Sequence, residues 1–141
     1  MRCVLDASVA EMWYLPVADS TKAMRLRFDF IKGLHELLAP DIFPVECAAM
    51  LVKAERQGVI PAGKTPMELA AIQAVGVPLH PAAPLLRRAA VISLTTRLTV
   101  FASLYVALAE REQCQLVTAD QKVIRNTRRH FSFVLPVASL P

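Results

Sequence analysis

The chain has 141 residues, 55% of them hydrophobic and 20% charged, with a formal net charge of +4. A domain of that size buries about two thirds of the surface its unfolded chain exposes, so one core suffices and a single domain spanning residues 1–141 is expected. No apolar run approaches the roughly 18 residues of a membrane span, and the chain reaches Asp6 and Glu11 without the apolar centre of a secretory leader; a cytoplasmic protein without membrane contact is the expectation.

The stretch "RCVLDASVA" reads as a short buried strand, Cys3 to Leu5, ending at Asp6, after which small residues allow a tight turn into "EMWYLP". Ser20 can cap a helix from Thr21 to Lys32 that buries Ala23, Met24, Leu26, Phe28, Phe30 and Ile31 and stops at Gly33. "HELLAP" is a second short strand. "DIFPVECAAMLVKAERQG" is a helix with Pro44 in its first turn, where the missing N–H costs nothing, and Gly58 at its end, which puts Glu46 in the first turn. Thr65, Pro66 and Glu68 spell a capping box for a helix to Ala74. "VPLHP" reads as a brief strand and "APLLRRAAVISLTTR" as a helix with Arg87 and Arg88 outward. "TVFASLYVALAE" is the next helix, with Phe101, Leu104, Tyr105 and Leu108 at i, i+3, i+4 and i+7. Leu116 to Thr118 form a strand running into Asp120, and "FSFVLPV" is the last strand. Strands alternating with helices predict an α/β fold with a mostly parallel sheet of about five short strands and right-handed crossovers.

In an open parallel sheet the ligand crevice lies outside the carboxyl ends of the strands. Asp6 and Asp120 occupy such ends, and Glu46 opens the helix that follows the second strand, so three acids distant in sequence can converge. Crowded carboxylates repel and raise one another's pKa unless a cation lies among them. A hard divalent ion, Mg²⁺ or Mn²⁺, takes oxygen ligands, keeps several waters and commonly adds a substrate phosphate, which makes phosphodiester hydrolysis available. Taken singly, each acid also has an ordinary role, Glu46 in favourable contact with a helix dipole and the two aspartates in turns. Basic residues gather late in "DQKVIRNTRRH", where Arg125, Arg128 and Arg129 are candidates for nucleic-acid phosphates, with a solvated surface turn as the ordinary reading. Cys3, Cys47 and Cys114 read as reduced, mostly buried thiols. Trp13 and Tyr14 read as packing residues with base stacking as the alternative, His35 and His80 as ordinary surface or satisfied histidines, and Asn126 as a hydrogen-bonding neighbour of the site.

The segments "VLDASVAEMWYLP", "PDIFPVECAAMLVKAERQG" and "SLYVALAEREQCQLVTADQKV", in this order and covering nearly the whole chain, resemble the PIN domain family, specifically its small VapC-type members. The resemblance implies a PIN-like three-layer fold, a Mg²⁺- or Mn²⁺-dependent endoribonuclease, and a toxin of a toxin–antitoxin pair with a cognate antitoxin and a homodimer as partners. Carried over by motif, Asp6, Glu46 and Asp120 match the family's catalytic and metal-binding acids, and Ser8 matches a small hydroxyl beside the first of them. The family commonly opens the "LYVALAE" helix with a Tyr-Asp pair; here those positions are Phe101 and Ala102, and a methyl group cannot ligate a metal. Three readings of Ala102 stand open: a degenerate member that keeps RNA or protein binding without turnover, a weaker three-acid nuclease, or an engineered change. A receiver-like phosphoryl acceptor, which also sets acids at strand ends, needs two adjacent acids after the first strand, and "VLDAS" offers one.

Overall fold

The computed structural model describes residues 1–15 and 17–141; Pro16, the last residue of "EMWYLP", lies outside them. Five strands, β1 (Arg2–Leu5), β2 (Glu36–Pro40), β3 (Leu79–His80), β4 (Gln115–Thr118) and β5 (Val134–Pro136), form one sheet in the order β3-β2-β1-β4-β5. Every pairing is parallel, as the alternation of strands and helices requires. The helices that flank it are α1 (Ala7–Glu11), α2 (Ser20–Ile31), α3 (Phe43–Arg56), α4 (Thr65–Ala74), α5 (Leu86–Thr96), α6 (Val100–Glu112) and α7 (Gln121–Thr127). This is the α/β architecture, three layers around a parallel sheet, that the sequence predicts.

The core runs through the strands: Cys3, Val4 and Leu5 of β1 and Leu116, Val117 and Thr118 of β4 are all 1% exposed or less, because a parallel sheet is covered on both faces. α6 is the most deeply set helix. Leu104, Tyr105, Val106, Ala107, Leu108 and Ala109 are all buried, and the helix packs on β1, β2 and β4. Among the described residues no single helix is long and apolar enough to cross a membrane, and the α5 region meets α6 at 113°.

Several local expectations are corrected. The tight turn after Asp6 is instead α1, one and a half turns of helix entered directly from the strand. The N-cap of α2 is Asp19, in the left-handed region at φ 66°, while the Ser20 hydroxyl accepts from Val17 N at 2.9 Å. Only Ala23 and Leu26 of α2 are buried; Met24, Phe28 and Ile31, at i, i+4 and i+7, are exposed. The Thr65–Glu68 capping box does not form, because Lys64 holds the cap position and Glu55 of α3 reaches across to accept from Thr65 N at 2.9 Å. Phe101 is 59% exposed and no part of the α6 core stripe. The three thiols are free, as expected, with Cys3 and Cys47 buried.

Candidate acidic site at the sheet switch point

The strand order reverses direction between β1 and β4, and a parallel sheet opens its crevice at that point, beyond the carboxyl ends of the two strands. β1 and β4 pair with Leu5 opposite Val117, so Asp6 and Thr118 leave the sheet side by side. Asp6 N donates to Val117 O at 3.1 Å, which extends the ladder by one residue and fixes the aspartate backbone. Its side chain is clasped: Ser8 Oγ donates to Asp6 Oδ2 at 2.6 Å and Thr118 Oγ1 donates to the same oxygen at 2.7 Å. Each hydroxyl accepts in turn from the loop after β4, Ser8 from Ala119 N and Thr118 from Asp120 N, both at 3.0 Å. Since each hydroxyl has one hydrogen and gives it to Asp6, the 3.4 Å contact between Ser8 and Thr118 is an approach of two acceptors. The clasp holds the ends of β1 and β4 together through one carboxylate oxygen and leaves Oδ1 without a side-chain partner.

Asp120 is the N-cap of α7, where its Oδ1 accepts from Lys122 N at 2.9 Å and Val123 N at 3.3 Å. It is exposed, and its charge acts on Asp6. Burial pushes the Asp6 carboxyl above its ordinary value; the two hydroxyls pull it back, and Asp120 adds to the rise. Glu46, in the first turn of α3, is raised as well, first by burial and then by Asp6, and Tyr105 opposes the shift. Asp6 therefore stands electrostatically between the other two predicted acids. The Tyr105 hydroxyl, on a residue 1% exposed, leans on Glu46 and Asp6, which with burial hold its pKa far above that of a free phenol, yet it completes no hydrogen bond.

Ala102 stands three residues before Tyr105, on the same face of α6. Because α6 leads into β4 and runs back along it, its N-terminal turn lies at the carboxyl edge of the sheet, with Thr99 capping it by accepting from Ala102 N at 3.1 Å. The position that the sequence marks as lacking an acid thus lies on the edge where the acids are.

A cleft of about 470 Å³ opens beside the clasp, walled by Ser8, Glu11, Thr118, Asp120 and the apolar Met50 and Ile124. Glu11 was not among the predicted site residues, and neither was Thr118. The arginines 125, 128 and 129 are exposed on and just after α7, whose cleft-facing residues are Gln121 and Ile124, and none of the three lines the opening. Asn126 is not a site residue: its Nδ2 donates to Thr96 O at 2.9 Å and ties α7 to the end of α5. Trp13 packs, 6% exposed, with Nε1 donating to Ala23 O at 3.0 Å and Arg27 over its ring. His35 lies 3.5 Å from Asp29, and His80 3.4 Å from Arg111, both away from the acids.

Among the described residues, no three His, Cys, Asp or Glu side chains draw together as ligands of one ion. The donor set that remains is all oxygen: Asp6 Oδ1 and Asp120 Oδ2 carry no side-chain or capping hydrogen bond, and of the two aspartates Asp120 lines the cleft. That set fits a hard divalent cation that keeps most of its water and takes one or two carboxylates, and does not fit a protein cage.

No family model and no curated protein matches the chain. A solved structure does: the crystal structure of PAE2754 from Pyrobaculum aerophilum superposes with a TM-score of 0.68 at 17% identity, covering 99% of this chain and 94% of that one. At that identity the likeness extends the fold, end to end, to a second protein.

Proposed function

We propose that the chain is a PIN-type, VapC-like endoribonuclease that uses Mg²⁺ or Mn²⁺, with an acidic site weakened by Ala102. The observation that carries this reading is the clasped Asp6 at the switch point, with Asp120 across the cleft and Glu46 behind it. Two hydroxyls give both their hydrogens to one Asp6 oxygen, which is more than a turn aspartate requires and which leaves the other oxygen without a side-chain partner.

In this reading Asp6 and Asp120 hold the ion, which when bound supplies a Lewis acid and a water of lowered pKa. Glu46, its carboxyl raised by burial, would serve there as a proton-accepting group beside Asp6. The exposed Arg125, Arg128 and Arg129 meet RNA phosphates at the rim, a sequence-independent contact. RNA as substrate, a cognate antitoxin, a homodimer and a cytoplasmic location all belong to this proposal. The test is cleavage of a structured RNA in Mn²⁺, with EDTA and Asp6→Asn as controls. Cleavage lost in both controls supports the reading, and cleavage that survives Asp6→Asn sinks it.

A second reading, a PIN-like module that binds RNA or a protein without turnover, is favoured by Ala102 and by the bare apolar stripe Met24, Phe28 and Ile31 on α2, a surface suited to a partner helix. It is distinguished by RNA retention in a filter-binding assay with no cleavage in Mn²⁺.

A further inference from the structure

Arg27 is an unfinished contact. Its guanidinium lies over the rings of Trp13 and Tyr14, 5.6 and 5.9 Å from their centroids, which fixes its plane and supplies a cation–π attraction. Trp13 is in turn anchored to α2 by its bond to Ala23 O. Yet the buried Nε of Arg27 completes no hydrogen bond, and neither does the buried hydroxyl of Tyr14. Among the described residues no carboxylate pairs with the guanidinium. Buried polar groups left open cost free energy that a fold ordinarily avoids.

The surroundings of Arg27 are apolar and open. Met24, Arg27, Phe28 and Ile31 stand at i, i+3, i+4 and i+7 and share one face of α2, with Arg27 on the side turned to Trp13 and Tyr14. Met24 is 40%, Phe28 56% and Ile31 60% exposed, so large side chains frame a stacked arginine at the surface. Protein interfaces concentrate methionine, aromatic residues and arginine, and an arginine set among aromatics is a frequent energetic centre. The charge nearby is positive: α2 and its C-cap carry Lys22, Arg25 and Lys32, while Asp29 lies 3.5 Å from His35 and Asp19 stands at the N-cap. A covering partner has to bring apolar side chains and negative charge together. A guanidinium pinned on two rings is a fixed fork suited to one carboxylate at a set place, whereas an anionic lipid surface asks only for mobile charge.

We propose that the α2 face of Met24, Arg27, Phe28 and Ile31 seats an amphipathic helix of a partner protein, whose apolar stripe covers the three hydrophobic residues and whose carboxylate pairs with Arg27. This goes beyond the readings given under Proposed function, since it needs neither metal nor RNA and holds whether or not the chain cuts. RNA cleavage and RNA retention test those readings separately.

The test is fluorescence anisotropy with two labelled synthetic helical peptides, one with leucines at i, i+3, i+4 and i+7 flanked by glutamates, the other with lysines in place of the glutamates. Each is titrated with the full chain, Arg27→Gln and Phe28→Ser, and melting temperatures are taken alongside. The glutamate peptide should bind the parent about tenfold more tightly than the lysine peptide, and each substitution should weaken it by about tenfold or more, the effect of losing an interface anchor. If Arg27→Gln melts lower than the parent, Phe28→Ser, at an exposed position, decides alone. Equal affinity for the two peptides, binding of neither, or binding that survives Phe28→Ser overturns the proposal. So does either other occupant of a basic apolar face: sedimentation with phosphatidylserine vesicles that Phe28→Ser abolishes while the peptides stay free, or a dimer in light scattering that Phe28→Ser dissociates.

Discussion

Thr118 is the residue on which the acidic site hangs. It is wholly buried, donates to Asp6 Oδ2 and accepts from Asp120 N, so one hydroxyl orients the first acid and anchors the backbone of the last. Thr118→Val keeps the volume and leaves a buried carboxylate oxygen short of a donor and an amide without an acceptor. The expected loss is about 1–3 kcal/mol, read by denaturant unfolding. Asp6 and Glu46 carry a second consequence, in pH. Both have folded pKa values raised by burial above the ordinary 3.8 and 4.5. Between those ordinary values and the raised ones the folded chain binds more protons than the unfolded chain, so unfolding free energy falls as pH rises through that window. In EDTA the protein should therefore gain stability as pH falls through that window toward the ordinary values, and Glu46→Gln should flatten the profile; an unchanged slope in Glu46→Gln would remove Glu46 as a buried acid. The places of Asp6 and Asp120 at strand ends were legible because apolar runs lead into them, whereas Ser8 was singled out through the resemblance alone. Thr118 was not legible, because its contact with Asp6 depends on the register of β1 against β4, which a periodicity does not display.

The helices divide by how much of the apolar pattern the fold uses. α6 is buried almost all round, so its period cannot show which face matters, and the sequence assigned Phe101 to the core where the structure leaves it 59% exposed. Leu108→Ala should cost about 2–5 kcal/mol, as deletion of a fully buried leucine does. Phe101→Ala should cost within about 0.5 kcal/mol, as changes at exposed positions do. A larger loss at Phe101 would mean that an unseen surface covers it. α2 errs in the same direction: its i, i+4, i+7 stripe is real, but the sheet is already covered by Ala23 and Leu26, and the stripe faces out. α4 shows a different failure. Thr65, Pro66 and Glu68 carry the right local words, yet a carboxylate from α3 reaches the helix start first, and tertiary contact overrides the local motif.

At the scale of the molecule, chain alternation was enough to foresee a parallel α/β sheet, and the order β3-β2-β1-β4-β5 adds the switch point at which Asp6 and Thr118 leave adjacent strands side by side. The sequence could say that Asp6 and Asp120 end strands; only the pairing of β1 with β4 says that these strands are adjacent. Arg125, Arg128 and Arg129 are exposed on and just after α7, whose first residues line the same opening. Ala102 remains the one position where sequence and site pull apart, on the crevice edge and without an acid.

The most direct measurement is Mn²⁺-dependent RNA cleavage by the chain as it stands and by Ala102→Asp, each with and without Asp6→Asn. The account expects measurable cleavage by the parent chain, a gain of about tenfold or more in Ala102→Asp, and loss of cleavage with Asp6→Asn in either background. Cleavage by neither chain, or cleavage indifferent to Asp6, would contradict it.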